Sequence, residues 1–309
     1  MNFKNKIPFI AYDPIYAHPL PEGHRFPMIK YELIPEQLKY EGTITEGCIF
    51  SPTTCEDEII LLTHTNDYLN KLNYLQLSER EQRQIGFPQS AQLIAREKII
   101  TQGTIDCCMK AFQTGIALNV AGGTHHAYAD RGEGFCLLND FAIASHYLLH
   151  HKLAAHILII DLDVHQGNGT AKIFEDENRV FTFSMHGAHN YPFRKEKSDL
   201  DIGLPDGIVD LQYLEILQEH LYQITQKIKP DFAFYLSGVD ILETDRYGKL
   251  KITPEGCRKR DEIVFNFLQS KRIPCAVAMG GGYSPDIKNI VEAHCATFRS
   301  AIEIYKLDE

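Results

Sequence analysis

Short apolar runs rich in β-branched residues, each followed by a longer amphipathic stretch, constrain this chain more than any other feature. They occupy residues 116–120, 156–160, 179–183, 231–236 and 274–279. Continuous apolar character over so few residues suits strands covered on both faces, as in parallel sheets. Helical segments are expected over residues 89–112, 138–151, 210–228, 254–269 and 284–304. Alternating strands and helices predict an α/β fold with a mainly parallel sheet between two helical layers. No repeat, low-complexity tract or Gly/Ser/Pro linker interrupts the 309 residues. A single domain over residues 1–309 is therefore expected, with residues 195–206 forming an irregular polar crossover.

In open parallel sheets, ligands collect beyond the carboxyl ends of the strands. Here those ends lead into reactive side chains. The first run passes into Gly122-Gly123-Thr124-His125-His126, and the second into Asp161-Leu162-Asp163-Val164-His165. The third leads to Ser184-Met185-His186, the fourth to Ser237-Gly238-Val239-Asp240, and the fifth to Gly280-Gly281-Gly282-Tyr283. Asp161, Asp163 and His165 stand at alternate positions where a strand runs out, so they share one side of extended backbone. With Asp240, one imidazole and two carboxylates can make a three-ligand site that leaves zinc open positions. The same donors suit Mn²⁺ or Fe²⁺. Taken singly, each of these residues reads better as a helix cap. Taken together, buried acids converging without a cation would repel one another at a heavy desolvation cost.

Two glycines before His125-His126 let the backbone turn sharply and approach a ligand. One imidazole could take a proton from an activated water while the other holds charge near a leaving group. His150-His151, at the end of a helical segment, reads as a solvated pair. The glycine run before Tyr283 lacks both GxGxxG and the P-loop Lys-Ser/Thr, which excludes nucleotide binding. Two readings of Tyr283 remain open, a hydroxyl aimed at an oxyanion and a buried ring closing a turn.

A net charge of -10 argues against broad capture of nucleic acid or acidic membrane. The longest apolar runs, such as residues 157–160, fall far short of the roughly 20 residues a spanning helix needs. No secretion signal is expected from the residues that follow Met1, and the eight scattered cysteines show no zinc-finger spacing. A soluble, reduced, cytoplasmic protein is expected.

Several motifs occur together in order: GGTHHA at residues 122–127, GFCLLND at 134–140, DLDVHQGNGT at 161–170, SGVDILETDRYGKL at 237–250, and GGGY at 280–283. From about Tyr12 to the C-terminus, the chain resembles the arginase-deacetylase superfamily. Within it the chain is most similar to histone deacetylases of class IV and their bacterial relatives. The resemblance implies zinc-dependent hydrolysis of acyl-lysine in a protein or peptide, with zinc on Asp163, His165 and Asp240. It implies His125 and His126 as the catalytic pair, Asp161 orienting His125, and Tyr283 polarising the acyl carbonyl. A potassium ion would sit on Asp161, Ser184 and the carbonyls of Asp163, His165 and Met185, and a second near Phe174 and Val180.

By the same resemblance, Phe135 beside Gly134 forms one aromatic wall of an acyl-lysine tunnel, Tyr191 the other, and Gly281 a substrate contact. Arg25 corresponds to the loop lining a product-release channel, as an acetate guide, with a surface salt bridge as the plainer alternative. Asn168 stands where class I members have an Asp beside the second histidine, and a neutral amide stabilises imidazolium less. The class IV likeness also implies acyl groups longer than acetyl. Competing functions are hydrolysis of acetylpolyamines or other small acylated amines, and a silent acyl-lysine binding module. A ureohydrolase would need more carboxylates for its two manganese ions.

Overall fold

The computed structural model describes residues 8–307. In chain order its elements are β1 (Ile10–Ala11), α1 (Lys30–Tyr40), β2 (Ile49–Phe50), α2 (Asp57–Ile60), α3 (Asn66–Asn73) and α4 (Glu79–Ile85). There follow α5 (Ala91–Thr114), β3 (Ile116–Asn119), α6 (Asp140–His150), β4 (Ile157–Asp161), α7 (Asn168–Ile173) and β5 (Val180–Gly187). The chain continues with β6 (Leu200–Leu204), α8 (Asp210–Lys227), β7 (Phe232–Leu236), α9 (Pro254–Lys271), β8 (Cys275–Ala278) and α10 (Ile287–Tyr305).

The eight strands form one sheet in the order β2-β1-β3-β8-β7-β4-β5-β6, and every pairing is parallel. Every residue of the central strands β3, β8, β7 and β4 is buried, which accounts for a sequence that is apolar up to the last residues of β3 and β4, Asn119 and Asp161. Side chains along β7 mark the two layers. Phe232 and Phe234 meet Phe112 of α5 and Phe141 of α6 at 5.0 and 4.9 Å, whereas Tyr235 meets Phe265 of α9 at 5.7 Å. Alternate residues of a strand point to opposite faces, so α5 and α6 cover one face and α9 covers the other. Helix α10 packs on α9 and α1, and α8 completes that row. Helix boundaries follow local chemistry: Ser90 caps α5 and left-handed Gly115 ends it, while Thr253 caps α9 just before Pro254. Among the described residues no helix is long and apolar enough to cross a membrane.

Residues 195–206 are not an irregular crossover, because they contain β6. Its alternation Leu200-Asp201-Ile202-Gly203-Leu204 suits an edge strand half open to solvent. Strand β5 runs on to Gly187, so Ser184, Met185 and His186 lie within it and pair with β6. The two-residue strands β1 and β2 are too short to leave a periodic signal. The helices α1 to α4 and α7 also go beyond the sequence-based expectation; α2, α4 and α7 are at most seven residues long.

One buried cation ties the central strand ends together. Arg260 of α9 is fully buried, and its Nη1 donates to the carbonyls of Gly238 at 2.6 Å and Leu162 at 3.4 Å. Its Nε donates to Asp261 at 2.8 Å, and Asp261 also accepts from the hydroxyls of Tyr235 and Thr297. Leu162 immediately precedes Asp163, and Gly238 lies two residues before Asp240. Replacing Arg260 by Met should therefore cost about 3–5 kcal/mol, the usual result of breaking a buried ion pair from one side. Urea unfolding measures this, and a loss under about 1 kcal/mol would show that Arg260 is not the tie.

Candidate active site

Asp163 and His165 follow the end of β4, and Asp240 follows β7, its neighbour in the sheet. Nδ1 of His165 lies 3.0 Å from Oδ1 of Asp163 and 3.1 Å from Oδ2 of Asp240. The donor atoms of these buried residues lie within 4.8 Å of one another, a spacing at which a single cation can touch all of them. Backbone amides hold the carboxylates in that pose. Gly281 N–H donates to Asp163 Oδ2 at 2.8 Å, His165 N–H to Asp163 Oδ1 at 2.9 Å, and Val164 N–H to Asp240 Oδ1 at 2.9 Å. Burial and the Asp163 charge push the Asp240 pKa upward. Burial opposes charge on His165, but the two carboxylates outweigh it and lift that ring to about 10. One nitrogen and two oxygens in such a field suit a divalent cation with open positions.

The glycine run makes this packing feasible. A Cβ on Gly281 would overlap Asp240 Oδ2 and lie 2.8 Å from Asp163 Oδ2. Lys30, fully buried on α1, donates from Nζ to the Gly280 carbonyl at 2.9 Å. Asp245 accepts from the Tyr283 backbone N–H at 2.6 Å and from the amides of Tyr247 and Gly248. The loop is thus held at both ends while the Tyr283 ring packs against Tyr247, Phe26 and Phe135. The Tyr283 hydroxyl has no hydrogen-bond partner among the described residues. Burial and the charges of Asp240 and Asp163 hold its pKa well above 10, so it keeps its proton.

His125 and His126 lie side by side with ring centroids 4.1 Å apart. His125 Nδ1 donates to Asp161 Oδ2 at 2.7 Å, and His126 Nδ1 donates to Asn168 Oδ1 at 2.6 Å. Burial opposes charge on His125, yet Asp161 outweighs it and raises the pKa. Burial and the adjacent His125 and His165 charges hold His126 well below 6.5. The turn carrying both is clamped by Asp140, which accepts from the amides of Gly123 and Thr124.

Two chambers meet at this pair. The inner one, about 40 Å³, is lined by Tyr31, Arg96, Gly123, His125 and Gly281, among others. The outer one, about 390 Å³, is lined by Phe135, Tyr191, Tyr247, Arg25 and Lys249. His126, Gly134, Phe135, His165 and Tyr283 line both. Phe135 and Tyr191 thus both lie on the outer chamber, the Tyr191 ring 5.0 Å from His126, and the Tyr191 hydroxyl donates to Glu133. Gly134 has φ +54°, and a Cβ there would lie 2.7 Å from His126 Cδ2. Phe135 is itself left-handed at φ 67°, a strained backbone for a bulky residue.

Arg25 is not where the product-release expectation puts it. Its guanidinium lies over the Phe135 ring at 5.0 Å and 5.9 Å from the Tyr247 ring, in the outer chamber. The guanidinium of the inner chamber belongs to Arg96, buried on α5, bonded to the Tyr16 carbonyl and paired with Glu97. Arg25 has neither ion pair nor hydrogen bond among the described residues. For the potassium candidates, β4–β5 pairing sets Asp161 opposite Ser184, with Met185 next. Phe174 and Val180 bracket the turn between α7 and β5.

Comparison with known proteins now gives this geometry a family. The chain matches the histone deacetylase domain over residues 24–298. The chain belongs to the histone deacetylase family. It is 31% identical to histone deacetylase 2 of Arabidopsis thaliana, over 87% of this chain and 72% of that one. It is 43% identical to an uncharacterized protein of Picosynechococcus, over 96% of this chain and 99% of the other. A histone deacetylase homologue complexed with SAHA superposes with a TM-score of 0.82 at 24% identity, over 98% and 85% of the two chains. A homologue from Aquifex aeolicus gives 0.80 at 24%, over 98% and 89%. The fold is accordingly that of the histone deacetylases.

Of the supporting groups, Asp140 and Asp245 lie inside recognisable motifs, and position in a motif was their only signal. Lys30 and Arg96 had none, because the carbonyls they bond, those of Gly280 and Tyr16, lie 250 and 80 residues away. The cation reading can be checked without any assay of turnover. Gly281→Ala should abolish binding of one divalent ion while the fold survives, by metal analysis after dialysis and by circular dichroism. Normal metal content in that variant would show that the carboxylates are not the ligands.

Proposed function

We propose that this chain is a zinc-dependent amidohydrolase that cleaves acyl-lysine in proteins or peptides to free lysine and a carboxylate. The observation that carries this reading is the convergence of Asp163, His165 and Asp240 beside His125, His126 and an unpartnered Tyr283 hydroxyl. Asp163, His165 and Asp240 would hold the zinc. That ion supplies Lewis acidity to the acyl carbonyl and makes water a nucleophile near neutral pH. The same reading assigns potassium to Asp161, Ser184 and the Met185 carbonyl, and a second potassium to the turn at Phe174 and Val180.

The chain's own groups divide the proton work by their partners. His126 faces a neutral amide, so its ring favours the neutral state and can accept the proton of the attacking water through Nε2. His125 faces the Asp161 carboxylate, which favours imidazolium, so it can donate to the departing amine. Tyr283 donates its hydroxyl to the oxygen that gains charge, and Phe135 and Tyr191 flank the alkyl stem of the lysine. Tyr283→Phe should lower turnover on the order of 10²-fold, about 3 kcal/mol, with unchanged zinc content and thermal stability. Near-normal turnover would make Tyr283 a packing residue.

The charge at the mouth favours a peptide over a polyamine. Among the described residues no carboxylate lines the outer chamber, whereas Arg25 and Lys249 do. The nearby Glu133 is engaged by Tyr191, and Asp206 lies 3.9 Å from Lys249 and 3.2 Å from His189. Each exposed cation should repel a further ammonium by about 1 kcal/mol at close range. An acetyl-lysine peptide should therefore exceed N-acetylspermidine by about tenfold or more in kcat/KM, and Arg25→Glu should narrow the gap. Equal rates on both substrates would favour the polyamine reading.

A further inference from the structure

His126 works as a base only if its hydrogen sits on Nδ1 and leaves Nε2 free, and Asn168 does not enforce this by itself. The two ends of an amide are nearly identical in shape. With Oδ1 toward His126, Asn168 accepts the Nδ1 hydrogen. With the amide reversed, its NH₂ would donate to Nδ1 and leave the hydrogen on Nε2. A carboxylate here would pose no such choice, since both of its oxygens accept. The use of Asn therefore demands that something else orient it.

The orienting group is visible on the far side. Asn168 Nδ2 donates to the Tyr128 hydroxyl at 3.0 Å, and that hydroxyl donates its single hydrogen to Glu196 Oε1 at 3.2 Å. Were the amide reversed, its oxygen would compete with the Glu196 carboxylate for the same hydrogen. The charged acceptor makes the stronger bond. Tyr128 is consequently left with a lone pair facing Asn168, which accepts NH₂ and not oxygen. Burial and the Glu196 charge raise the Tyr128 pKa to about 12, so the hydroxyl keeps its hydrogen.

Both members are fixed in place. The Tyr128 ring is buried beneath the Arg131 guanidinium at 3.6 Å, and its N–H donates to the Arg131 carbonyl. The Glu196 backbone is clasped by Gln166, which accepts its N–H at 2.9 Å and donates to its carbonyl at 2.8 Å. Gln166 is the next residue after His165, so the clasp ties Glu196 to the loop that bears the proposed metal ligands.

We propose that Tyr128, locked by Glu196, is a positioning residue that orients the Asn168 amide and thereby sets the tautomer of His126. The inference rests on the proposed function for its kinetic readout but not for its spectroscopic one. Tyr128→Phe should lower kcat about tenfold with KM within about twofold, because the loss falls on the chemical step. Glu196→Gln, at a half-buried position, should shift kcat in the same direction with thermal stability retained, and it serves if Tyr128→Phe fails to fold. In an Asn168→Asp background, Tyr128→Phe should cost under about twofold, since a carboxylate needs no orienting. Nitrogen-15 spectra of the neutral His126 ring should report the Nδ1–H form in the parent protein and a mixture in the Tyr128 and Glu196 variants.

An unchanged tautomer in both variants would overturn the proposal. So would an equal kcat loss from Tyr128→Phe in the parent and in the Asn168→Asp background, which marks a merely structural role. Absence of turnover on every acyl-lysine substrate by the parent protein would instead sink the proposed function, leaving the tautomer measurement to decide this inference.

Discussion

The mutual repulsion of two buried carboxylates, Asp163 and Asp240, is the constraint around which this structure is organised. Each lies beyond a central strand, away from water, and each has an oxygen about 3 Å from the same His165 nitrogen. In low dielectric such an arrangement is tolerated only with compensation. Backbone amides of Val164, His165 and Gly281 supply part of it, and the site is suited to a cation for the rest. The glycine loop, the buried Lys30 beneath it and the Arg260 tie between two strand ends all serve the same end. They hold carbonyls and amides where the carboxylates require them.

The parallel sheet makes that convergence possible. Parallel pairing brings the carboxyl ends of β3, β8, β7 and β4 to one edge. Groups as distant in sequence as His125, Asp163, Asp240 and Tyr283 then become neighbours. The same edge carries an asymmetry between the two histidines, one facing a carboxylate and the other an amide. Under the proposed function, that difference in partner divides acid from base. The amide is in turn linked outward by hydrogen bonds through Tyr128 to Glu196.

Much of this was legible from residues alone. Strand-end Asp and His at alternate positions, glycines ahead of His125, and glycines ahead of Tyr283 carry their chemistry in their spacing. The five apolar runs mark β3, β4, β5, β7 and β8 because a strand buried on both faces is mostly apolar. Where burial is one-sided or the element is very short, that signal fades. Strand β6 was hidden by its polar alternate residues, and β1 and β2 by their length. Arg25 lies in the outer chamber, while an arginine from α5 occupies the inner one, because a loop's motif does not reveal where its side chain points.

Sequence by itself determined the donor types, their order along the chain and the periodicities that make a parallel α/β sheet, all of which are local properties. Only tertiary structure decided which oxygen of each carboxylate faces His165, which arginine reaches which chamber, and which way the Asn168 amide points. Those outcomes depend on partners tens to hundreds of residues away. The energy of a buried polar group is set by the atoms within about 3 Å of it, whatever its neighbours along the chain.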